Sequence, residues 1–343
     1  MTEPHTVGVG IVGLGFMGRT HLAAYEACDG ARVVAVADRN EALLDGHADE
    51  AGGGNLEIGS AEAVFDPLVV DTYTDAAALC ARGDIDLISI TTPTPTHRAL
   101  ALMAMKAGKH VLLEKPVDLN PDVIEELAAA AKSCGVLVMP AHCMRFWPAW
   151  AWMKTNLDQG TYGRPLRARF RRLGAAPTWN EGFYLDDAQS GGALVDLHIH
   201  DVDFLVHCFG VPKRVSSTGS TRHVVTTYDF GEGGVDVQAE GGWLGPDAEF
   251  EMVCSIECEG GTMSFDLARD TEVVVTHDGV ETPHPEASGD GTGYDGEVAA
   301  LVHAILSGAQ TPPVTLDDAA IVARVLNAER ASLEATQPCE VRR

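Results

Sequence analysis

VGVGIVGLGFMGRTHLAAYEACDGARVVAVADR, residues 7–39, is the stretch that decides the fold of the first part of this chain. Its first six residues, Val7–Val12, form a short apolar run rich in β-branched side chains, which is typical of a buried strand. A segment compatible with a helix follows, and a second apolar run, Val33–Ala37, comes after it. The order strand, loop, helix, strand predicts a βαβ unit with two parallel strands.

The glycines between the first strand and the helix predict a dinucleotide-binding loop. Gly13 can make the tight turn, Gly15 lets the backbone approach a pyrophosphate, and Gly18 lets the helix pack close to the strand. The helix N-terminus offers N–H groups and the positive end of its dipole to the phosphates. Asp38 ends the second strand, where its carboxylate can accept both ribose hydroxyls of an adenosine. A structural glycine turn in another α/β protein is the alternative, and the order of the elements favours dinucleotide binding.

Composition limits the classes of partner and compartment. The chain has 343 residues, enough for two domains, and its 50 Asp and Glu against 24 Lys and Arg give a formal charge of −26. Such a charge repels nucleic acid phosphates and anionic lipid, so neither nucleic acid nor membrane is an expected partner. No apolar run reaches the ~18 residues of a membrane span, and MTEPHTVGVG does not resemble a signal peptide. The eight cysteines are scattered without a C-x-x-C pair, which favours a reduced, cytoplasmic protein.

The pattern of elements changes near residue 140 and predicts two domains. Residues 6–140 alternate apolar runs with helical patterns, which predicts an α/β Rossmann domain with a doubly wound parallel sheet. Residues 51–67 interrupt this alternation and are expected to form a surface insertion without an assigned function. The predicted strands are Val7–Val12, Val33–Ala37, Val70–Tyr73, Leu87–Ile90, Val111–Leu113 and Val136–Met139. Helices are expected at His97–Ala107 and Asp122–Ser133.

Residues 141–343 are expected to form a substrate-binding and oligomerisation domain of α/β type. Long strands without crossover helices predict a large, mainly antiparallel open sheet. The predicted strands are Leu166–Leu173, Val224–Phe230, Val235–Trp243, Phe250–Glu257, Thr262–Leu267 and Glu272–Thr276. Helical patterns are found up to Asp158, at Gly191–Phe209, and at the two closing segments Gly296–Leu306 and Leu316–Glu334.

Two short motifs follow predicted strands at the carboxyl edge of the parallel sheet, where ligands of doubly wound folds bind. Residues 91–97, TTPTPTH, contain two prolines that stiffen the loop, and its hydroxyls and backbone are able to line the nicotinamide ribose. A rigid turn with a helix N-cap is the alternative. Glu114-Lys115-Pro116 ends the fifth strand, where the cation of Lys115 can reach both the cofactor ribose and a substrate hydroxyl. For that pair the alternative is a surface salt bridge.

Residues 191–203, GGALVDLHIHDVD, bring together carboxylates and imidazoles in the second domain. On one helix Asp196 and His200 are i,i+4 neighbours within hydrogen-bond reach, and a carboxylate that orients an imidazole is a common general-base arrangement. A purely structural pair is the alternative. His198 lies about 200° around that helix from His200, so the two cannot share a metal, and no metal is expected. His198 itself is expected to be a packed or surface histidine.

Four motifs together resemble the glucose–fructose oxidoreductase and inositol dehydrogenase (Gfo/Idh/MocA) family: GLGFMG, TTPTPTH, EKP and GGALVDLHIHDVD. The resemblance covers nearly the whole chain, up to the ERASLEATQPCEV ending. It implies a Rossmann domain followed by an α/β domain whose open sheet commonly forms a dimer or tetramer interface. It also implies that Lys115 and the Asp196/His200 pair match catalytic positions. The residues that it implies to lie near the cofactor are Thr91, His97, Glu114 and Arg145.

The motifs and the resemblance together give two sets of candidate binding residues. The residues expected to bind the cofactor are Gly13, Gly15, Phe16, Met17, Gly18, Asp38, Arg39, Thr91, Thr92, Pro93, His97, Glu114, Lys115 and Arg145. The residues expected to contact the substrate are Lys115, Arg145, Phe146, Trp179, Tyr184, Gln189 and His200.

The predicted activity is NAD(P)-dependent hydride transfer between nicotinamide and a secondary alcohol or ketone of a sugar, cyclitol or related polyol. His200 is predicted to take the hydroxyl proton, with Asp196 orienting it, while Lys115 polarises the same oxygen. An NAD-dependent glycosidase with transient oxidation at C3 would use similar residues. A non-catalytic dinucleotide-binding sensor is the second alternative, but it would be expected to lose the lysine or the histidine.

The type of nicotinamide cofactor depends on two adjacent residues. Asp38 favours NAD, because its carboxylate can bind the ribose 2′-hydroxyl and repels a 2′-phosphate. Arg39 follows directly and is able to bind that phosphate, so NADP stays open as an alternative.

The hydrophobic pattern of the second domain also predicts self-association. Phe250–Glu257 and Val273–Val275 would put apolar residues on both faces of the sheet, which indicates a covered sheet. Packing of this sheet against a second copy predicts a homodimer or a tetramer. The alternative is that the terminal helices cover the second face within one chain.

Overall fold

The computed structural model describes residues 6–46, 65–178 and 181–342. The predicted insertion at 51–67 therefore falls largely outside the described residues, as does Trp179. Within the described part of the chain no helix is long and apolar enough to cross a membrane.

The chain divides into two compact units. The first comprises Met1–His142 and Tyr294–Ala320, and the second comprises Cys143–Gly293 and Ile321–Arg343. The boundary after His142 lies close to the one expected near residue 140, but the chain returns to the first unit over Tyr294–Ala320, which was expected to belong to the second domain. The sequence pattern identified a helix there but carried no information on which core it joins.

The first unit is built on a six-stranded sheet whose neighbouring strands are all parallel. Its strands are β1 (Val7–Val12), β2 (Ala31–Ala37), β3 (Asp71–Tyr73), β4 (Leu87–Ile90), β5 (His110–Leu113) and β6 (Val138–Pro140). Their order is β3-β2-β1-β4-β5-β6, so the order reverses between β1 and β4. Ligands of doubly wound sheets bind at the carboxyl ends of the strands beside such a reversal. The predicted fold class of this region is confirmed.

Helices cover this sheet, and every residue of β1 and β4 is buried, as expected when both faces are covered. The helices are α1 (Phe16–Glu26), α2 (Ala76–Cys80), α3 (His97–Lys106) and α4 (Pro121–Cys134). The bounds of α4 follow from local chemistry. Asn120 caps the helix by accepting the N–H of Asp122 at 3.0 Å, Pro121 is its first residue, and Gly135 ends it with φ of 67°.

The second unit contains a nine-stranded sheet. Its strands are β7 (Pro165–Ala175), β8 (Arg214–Ser220), β9 (His223–Asp229), β10 (Asp236–Leu244), β11 (Glu251–Cys258), β12 (Gly261–Asp266), β13 (Val273–His277), β14 (Val280–Pro283) and β15 (Cys339–Glu340). Their order is β14-β13-β12-β11-β7-β10-β9-β8-β15, and β7 and β10 are parallel while the other neighbours are antiparallel. The mainly antiparallel open sheet is confirmed.

The remaining helices complete both units. They are α5 (Pro148–Gln159), α6 (Glu181–Tyr184), α7 (Asp187–Ser190), α8 (Ala193–Asp196), α9 (Ile199–Phe209), α10 (Gly293–Leu306) and α11 (Leu316–Ala335). Against the inner face of the large sheet, Trp150 of α5 meets Phe204 of α9 edge to face at a centroid distance of 4.7 Å. Trp150 also packs against Phe265 of β12, and all three rings are fully buried, so they form part of the core.

The outer face of this sheet is polar at its centre. Arg167, Arg169 and Arg171 alternate along β7 with the buried inner positions and lie roughly half exposed. Acidic residues on the neighbouring strands pair with them; Arg167 lies 2.7 Å from Glu257, and Arg171 lies 2.8 Å from Glu251. The outer positions of β11 are Glu251, Val253, Ser255 and Glu257, so the expected apolar character of this face is limited to Val253 on that strand. On β13 three successive valines, Val273–Val275, are buried.

Buried polar side chains connect β9 to α11. The carboxylate of Glu329 accepts the hydroxyl of Tyr228 at 2.8 Å and that of Thr226 at 3.0 Å, and it lies 3.3 Å from Nε2 of His198. All four side chains are almost completely buried. Burial alone would lower the pKa of His198, but the Glu329 carboxylate reverses this and raises it. The structure thus places His198 in a packed ion pair.

We expect Glu329→Gln to destabilise the protein by about 3 kcal/mol at pH 6, because it leaves a buried imidazolium without its counter-charge. Since the folded pKa of His198 is raised, the contribution of the pair is fully present below about pH 6.5 and is lost as the pH rises through the folded value. The loss should therefore shrink towards pH 9 in denaturant unfolding experiments. The control is Glu126→Gln at the exposed pair with Arg98, which should change the stability little at either pH. Equal losses at both pH values would contradict a charged pair.

Candidate functional site

The loop between β1 and α1 has a shape that only glycine permits at two positions. Gly13 has φ of +96°, and a Cβ on Gly18 would lie 1.9 Å from the carbonyl oxygen of Gly13. A Cβ on Gly15 would meet no protein atom within 4 Å. Gly15 is the N-cap of α1 and offers no side chain to cap the helix. The loop therefore presents a helix N-terminus and open space beside Gly15, a combination that fits the pyrophosphate of a dinucleotide.

Asp38 ties the end of β2 to the glycine loop. Its Oδ2 accepts the N–H of Leu14 at 2.7 Å, and its Oδ1 accepts the N–H of Asn40 at 2.8 Å. A carboxylate has about four lone-pair sites, so two backbone hydrogen bonds leave capacity for ribose hydroxyls. Arg39 is exposed. Both residues lie where an adenosine ribose is expected in this type of sheet.

The threonine-rich loop after β4 contacts the same glycine loop. Thr91 donates its hydroxyl to the carbonyl oxygen of Gly13 at 2.7 Å, and Thr92 and Thr96 share a hydroxyl hydrogen bond of 2.6 Å. Pro93 is exposed at the start of a short 3-10 turn, Thr94–Thr96. The loop is thus fastened to the glycine loop by hydrogen bonds at the carboxyl edge of the sheet.

His97 lies beneath this loop and braces it. Its Nε2 lies 2.7 Å from the carbonyl oxygen of Thr92, and its Nδ1 lies 3.0 Å from that of Pro116. The ring is buried, and this burial lowers the pKa of His97 despite the nearby carbonyl groups. The ring therefore lies between the loop after β4 and the loop after β5, and as a neutral imidazole it donates its one N–H to one of the two carbonyl oxygens.

Glu114 and Lys115 follow β5 at the same edge of the sheet. The N–H of Glu114 bonds to the carbonyl oxygen of Ile90, and Oε2 of Glu114 accepts the N–H of Lys115 at 2.9 Å. Burial by itself would raise the pKa of Glu114, but His21 and Lys115 bring it below the ordinary value. The half-buried Lys115 therefore follows a buried carboxylate that fixes its backbone.

The segment 191–203 corrects one expectation. A single helix was predicted over Gly191–Phe209, but α8 ends at Asp196 and α9 begins at Ile199. Between them the N–H of His198 bonds to the carbonyl oxygen of Ala193, five residues back, which widens the turn. Asp196 and His200 therefore belong to two helices, so the single helix expected over this segment is wrong, while the pairing of the two side chains stays a prediction. The ring of His200 lies near Cys143, with Nδ1 3.9 Å from Sγ.

Three other polar residues of this segment are engaged in buried ion pairs. His198 pairs with Glu329, as described above. Asp201 binds Arg172 at 2.9 Å, and Asp203 binds Arg145 at 2.7 Å. The guanidinium of Arg145 contacts both carboxylate oxygens of Asp203, and its side chain is only 8% exposed. These pairs hold the start of α9, which carries His200.

The remaining candidate substrate contacts lie in different environments. Phe146 is half buried just before α5, and Gln189 is exposed on α7, where its amide donates to Asp186 at 2.7 Å. Tyr184 packs against Trp243 at a centroid distance of 6.1 Å and joins a small buried cluster. Gln189 and Tyr184 both lie on short helices between β7 and α8.

Sequence reasoning missed two buried polar residues of the first unit. His21 on α1 and Glu297 on α10 are completely buried and face Glu114; Nε2 of His21 lies 3.1 Å from Oε1 of Glu114 and 3.7 Å from Oε1 of Glu297. The sequence signal that could have found Glu297 is its position in an otherwise largely apolar helix, α10, where an ionisable side chain needs a partner. For His21 the signal is weaker, because Arg19 and Thr20 of the same helix are also buried.

Comparison with protein families assigns both parts of the chain. Residues 7–142 match the model described as an oxidoreductase family with an NAD-binding Rossmann fold. Residues 150–273 match the model of the GFO/IDH/MocA C-terminal domain.

Relatives of known activity include dehydrogenases and a reductase. A trans-1,2-dihydrobenzene-1,2-diol dehydrogenase of Bos taurus is 31% identical over 299 residues, which cover 78% of this chain and 83% of that protein. A 1,5-anhydro-D-fructose reductase of Ensifer adhaerens is 32% identical over 135 residues, 39% of this chain and 40% of that protein.

Solved structures share the fold over almost the whole length. A levoglucosan dehydrogenase in complex with NADH and levoglucosan matches with a TM-score of 0.83 at 22% identity, and covers 98% of this chain and 100% of that one. A scyllo-inositol dehydrogenase of Lactobacillus casei matches with a TM-score of 0.77 at 20% identity, with 98% and 99% coverage. The glycine loop, the sheet order and the two family matches agree, and the chain belongs to the Gfo/Idh/MocA family of NAD-binding oxidoreductases.

Proposed function

We propose that this oxidoreductase transfers a hydride between NAD and a secondary alcohol or ketone of a sugar, cyclitol or related cyclic polyol. The observation that carries the proposal is the position of Lys115. It follows β5 at the carboxyl edge of the sheet, the edge at which the loop after β4 is bonded to the glycine loop, and Glu114 fixes its backbone. The relatives support the substrate class, because they include dehydrogenases of a cyclic diol, of levoglucosan and of scyllo-inositol.

Lys115 supplies positive charge in this proposal. A bound NAD would supply the acceptor for the hydride of the alcohol carbon. Negative charge develops on the alcohol oxygen as its proton is removed, and the ammonium group of Lys115 stabilises this charge more strongly in the transition state than in the ground state. The Glu114 carboxylate accepts a hydrogen bond from the backbone N–H of Lys115 and so restricts the backbone from which the Lys115 side chain extends.

His200 is the proposed general base, which takes the proton of the same hydroxyl. It lies in the first turn of α9, which begins at Ile199. Buried ion pairs from Asp201 to Arg172 and from Asp203 to Arg145 hold that turn in place. Asp196, at the end of α8, is the proposed orienting residue, and it acts across the break between the helices. Arg145, Phe146, Trp179, Tyr184 and Gln189 remain proposed substrate contacts.

We expect Lys115→Ala and His200→Ala each to lower kcat/KM by at least about 100-fold, as is usual when a general base or an electrostatic stabiliser is removed. The assay is NADH formation with levoglucosan, scyllo-inositol and trans-dihydrobenzenediol. Lys106→Ala and His303→Ala change exposed residues of the same types and should leave turnover unchanged. The mechanism fails if Lys115→Ala and His200→Ala both keep near wild-type turnover on any accepted substrate.

We also propose that the enzyme prefers NAD to NADP. The hydrogen bonds of Asp38 to Leu14 and Asn40 hold its carboxylate at the end of β2, where it can bind a 2′-hydroxyl and repels a 2′-phosphate. The exposed Arg39 is the residue that would oppose this preference.

We expect NADH to bind at least about tenfold more tightly than NADPH, a difference of ~1.4 kcal/mol. Quenching of tryptophan fluorescence by each reduced cofactor gives both dissociation constants. Asp38→Ala should narrow the difference by weakening NADH binding. Tighter binding of NADPH to the wild-type protein would reverse the assignment.

Finally, we propose that the chain forms a homodimer or a tetramer through the outer face of the nine-stranded sheet. Within one chain the terminal helices do not cover the centre of this face, since Arg167 and Arg171 are about half exposed there. The ion pairs between its strands make this a polar surface, so an interface on it would be sensitive to salt.

Light scattering at micromolar protein should give at least twice the monomer mass of 36.3 kDa. Arg169→Glu places an acid beside Asp236 at the centre of the face and should reduce that mass. The control is Arg98→Glu, which makes a similar charge change at an exposed residue of α3 in the first unit. A mass near 36 kDa at all concentrations would refute the assembly.

A further inference from the structure

A buried cluster of three ionisable residues lies behind Lys115 in the first unit. His21 comes from α1, Glu114 from the end of β5, and Glu297 from α10. One ring nitrogen of His21 and one carboxylate oxygen from each glutamate all lie within 4.8 Å of one another. His21 and Glu297 are completely buried. Two carboxyl groups and one imidazole thus share a space that water does not reach.

The two carboxyl groups of this cluster are not equivalent. Glu114 has donors, since Oε1 faces Nε2 of His21 at 3.1 Å and Oε2 accepts the N–H of Lys115 at 2.9 Å. Both carboxyl oxygens of Glu297 are buried without a hydrogen-bond partner among the described residues, and Oε1 lies 3.7 Å from Nε2 of His21. Glu114 is therefore solvated by the protein as an anion, whereas Glu297 is not.

A second negative charge in this space is unfavourable. A buried carboxylate without donors costs several kcal/mol, and a like charge next to it adds repulsion. A neutral carboxyl group avoids both costs. Burial first, and then the charge of Glu114, raise the pKa of Glu297 well above its ordinary value. Among the described residues, the titratable side chains that interact with these two carboxyl groups include Tyr25, His97 and Lys115.

We propose that Glu297 is a protonated carboxylic acid in the folded enzyme and that it acts with His21 as a positioning residue for Lys115. His21 is fixed on its other side, where Nδ1 lies 2.7 Å from the hydroxyl oxygen of Ser89. With His21 fixed and Glu297 neutral, Glu114 stays the one anion of the cluster and keeps its hydrogen bond to the N–H of Lys115. The positioning part rests on the proposed catalytic role of Lys115, whereas the protonation of Glu297 does not.

Infrared spectroscopy tests the protonation without any activity. At neutral pH the wild-type protein should show the C=O band of a protonated carboxylic acid, with a shift in D2O, and Glu297→Gln should lose it. Glu126→Gln is the control, because Glu126 is an exposed carboxylate paired with Arg98, and this change should leave the band in place. A wild-type protein without the band overturns the proposal. So does an equimolar metal ion in the purified protein by elemental analysis, since a cation would then replace the proton.

Kinetics tests the positioning. Glu297→Gln keeps a neutral polar group of the same shape, so kcat should stay within about threefold of wild type. Glu297→Leu and His21→Leu disturb Glu114 and should lower kcat by about tenfold or more, with KM and the NADH dissociation constant changed less. If Glu297→Leu does not fold, His21→Leu decides. Unchanged kcat in a folded leucine variant overturns the positioning role. If the wild-type protein oxidises no alcohol at all, the proposed function fails, while the infrared result still decides the state of Glu297.

Discussion

The approach of α1 to the carbonyl oxygen of Gly13 is the constraint on which the cofactor-binding edge depends. Because a Cβ on Gly18 would lie 1.9 Å from that oxygen, residue 18 must be glycine for the helix to begin where it does. Two neighbouring segments then bond to the loop that this contact fixes. Asp38 accepts the N–H of Leu14, and Thr91 donates to the carbonyl oxygen of Gly13. One steric contact therefore sets the relative positions of the segments that follow β1, β2 and β4.

Beyond this loop, the chemistry depends on how buried charges are neutralised. In the first unit Glu114, which lies close to His21 and Glu297, accepts the N–H of Lys115. In the second unit buried pairs of His198, Asp201 and Asp203 hold the segment that carries His200. In both units, buried ionisable residues that take no part in the proposed reaction restrict the positions of the proposed catalytic residues, Lys115 and His200. Because the protein interior has a low dielectric constant, the loss of either partner of such a pair is costly.

The sequence predicted the elements whose burial follows a simple period, and it missed those in which polar side chains occupy the core. Val7–Val12 agrees residue for residue with β1, because all its side chains are apolar and buried. Strand β8 was missed, because Ser217 is buried through hydrogen bonds to Thr226 and Ser332 and not through apolar contacts. The break before α9 was missed because Leu197 and His198 keep right-handed helical backbone angles, and no proline or glycine marks the position. Glu297 could not be assigned a role without knowing that α10 returns to the first unit.

The most direct measurement of the central claim is the affinity of Gly15→Ala for NADH. A Cβ at this position meets no protein atom within 4 Å, and its backbone at φ of −66° suits alanine, so the melting temperature should not change. Only a bound pyrophosphate would meet the added methyl group. We predict at least about a tenfold loss of NADH affinity, with Gly83→Ala as the matched control, because the space beside Gly83 is equally open and lies away from the loop. Unchanged NADH affinity in a folded Gly15→Ala protein would contradict cofactor binding at this loop.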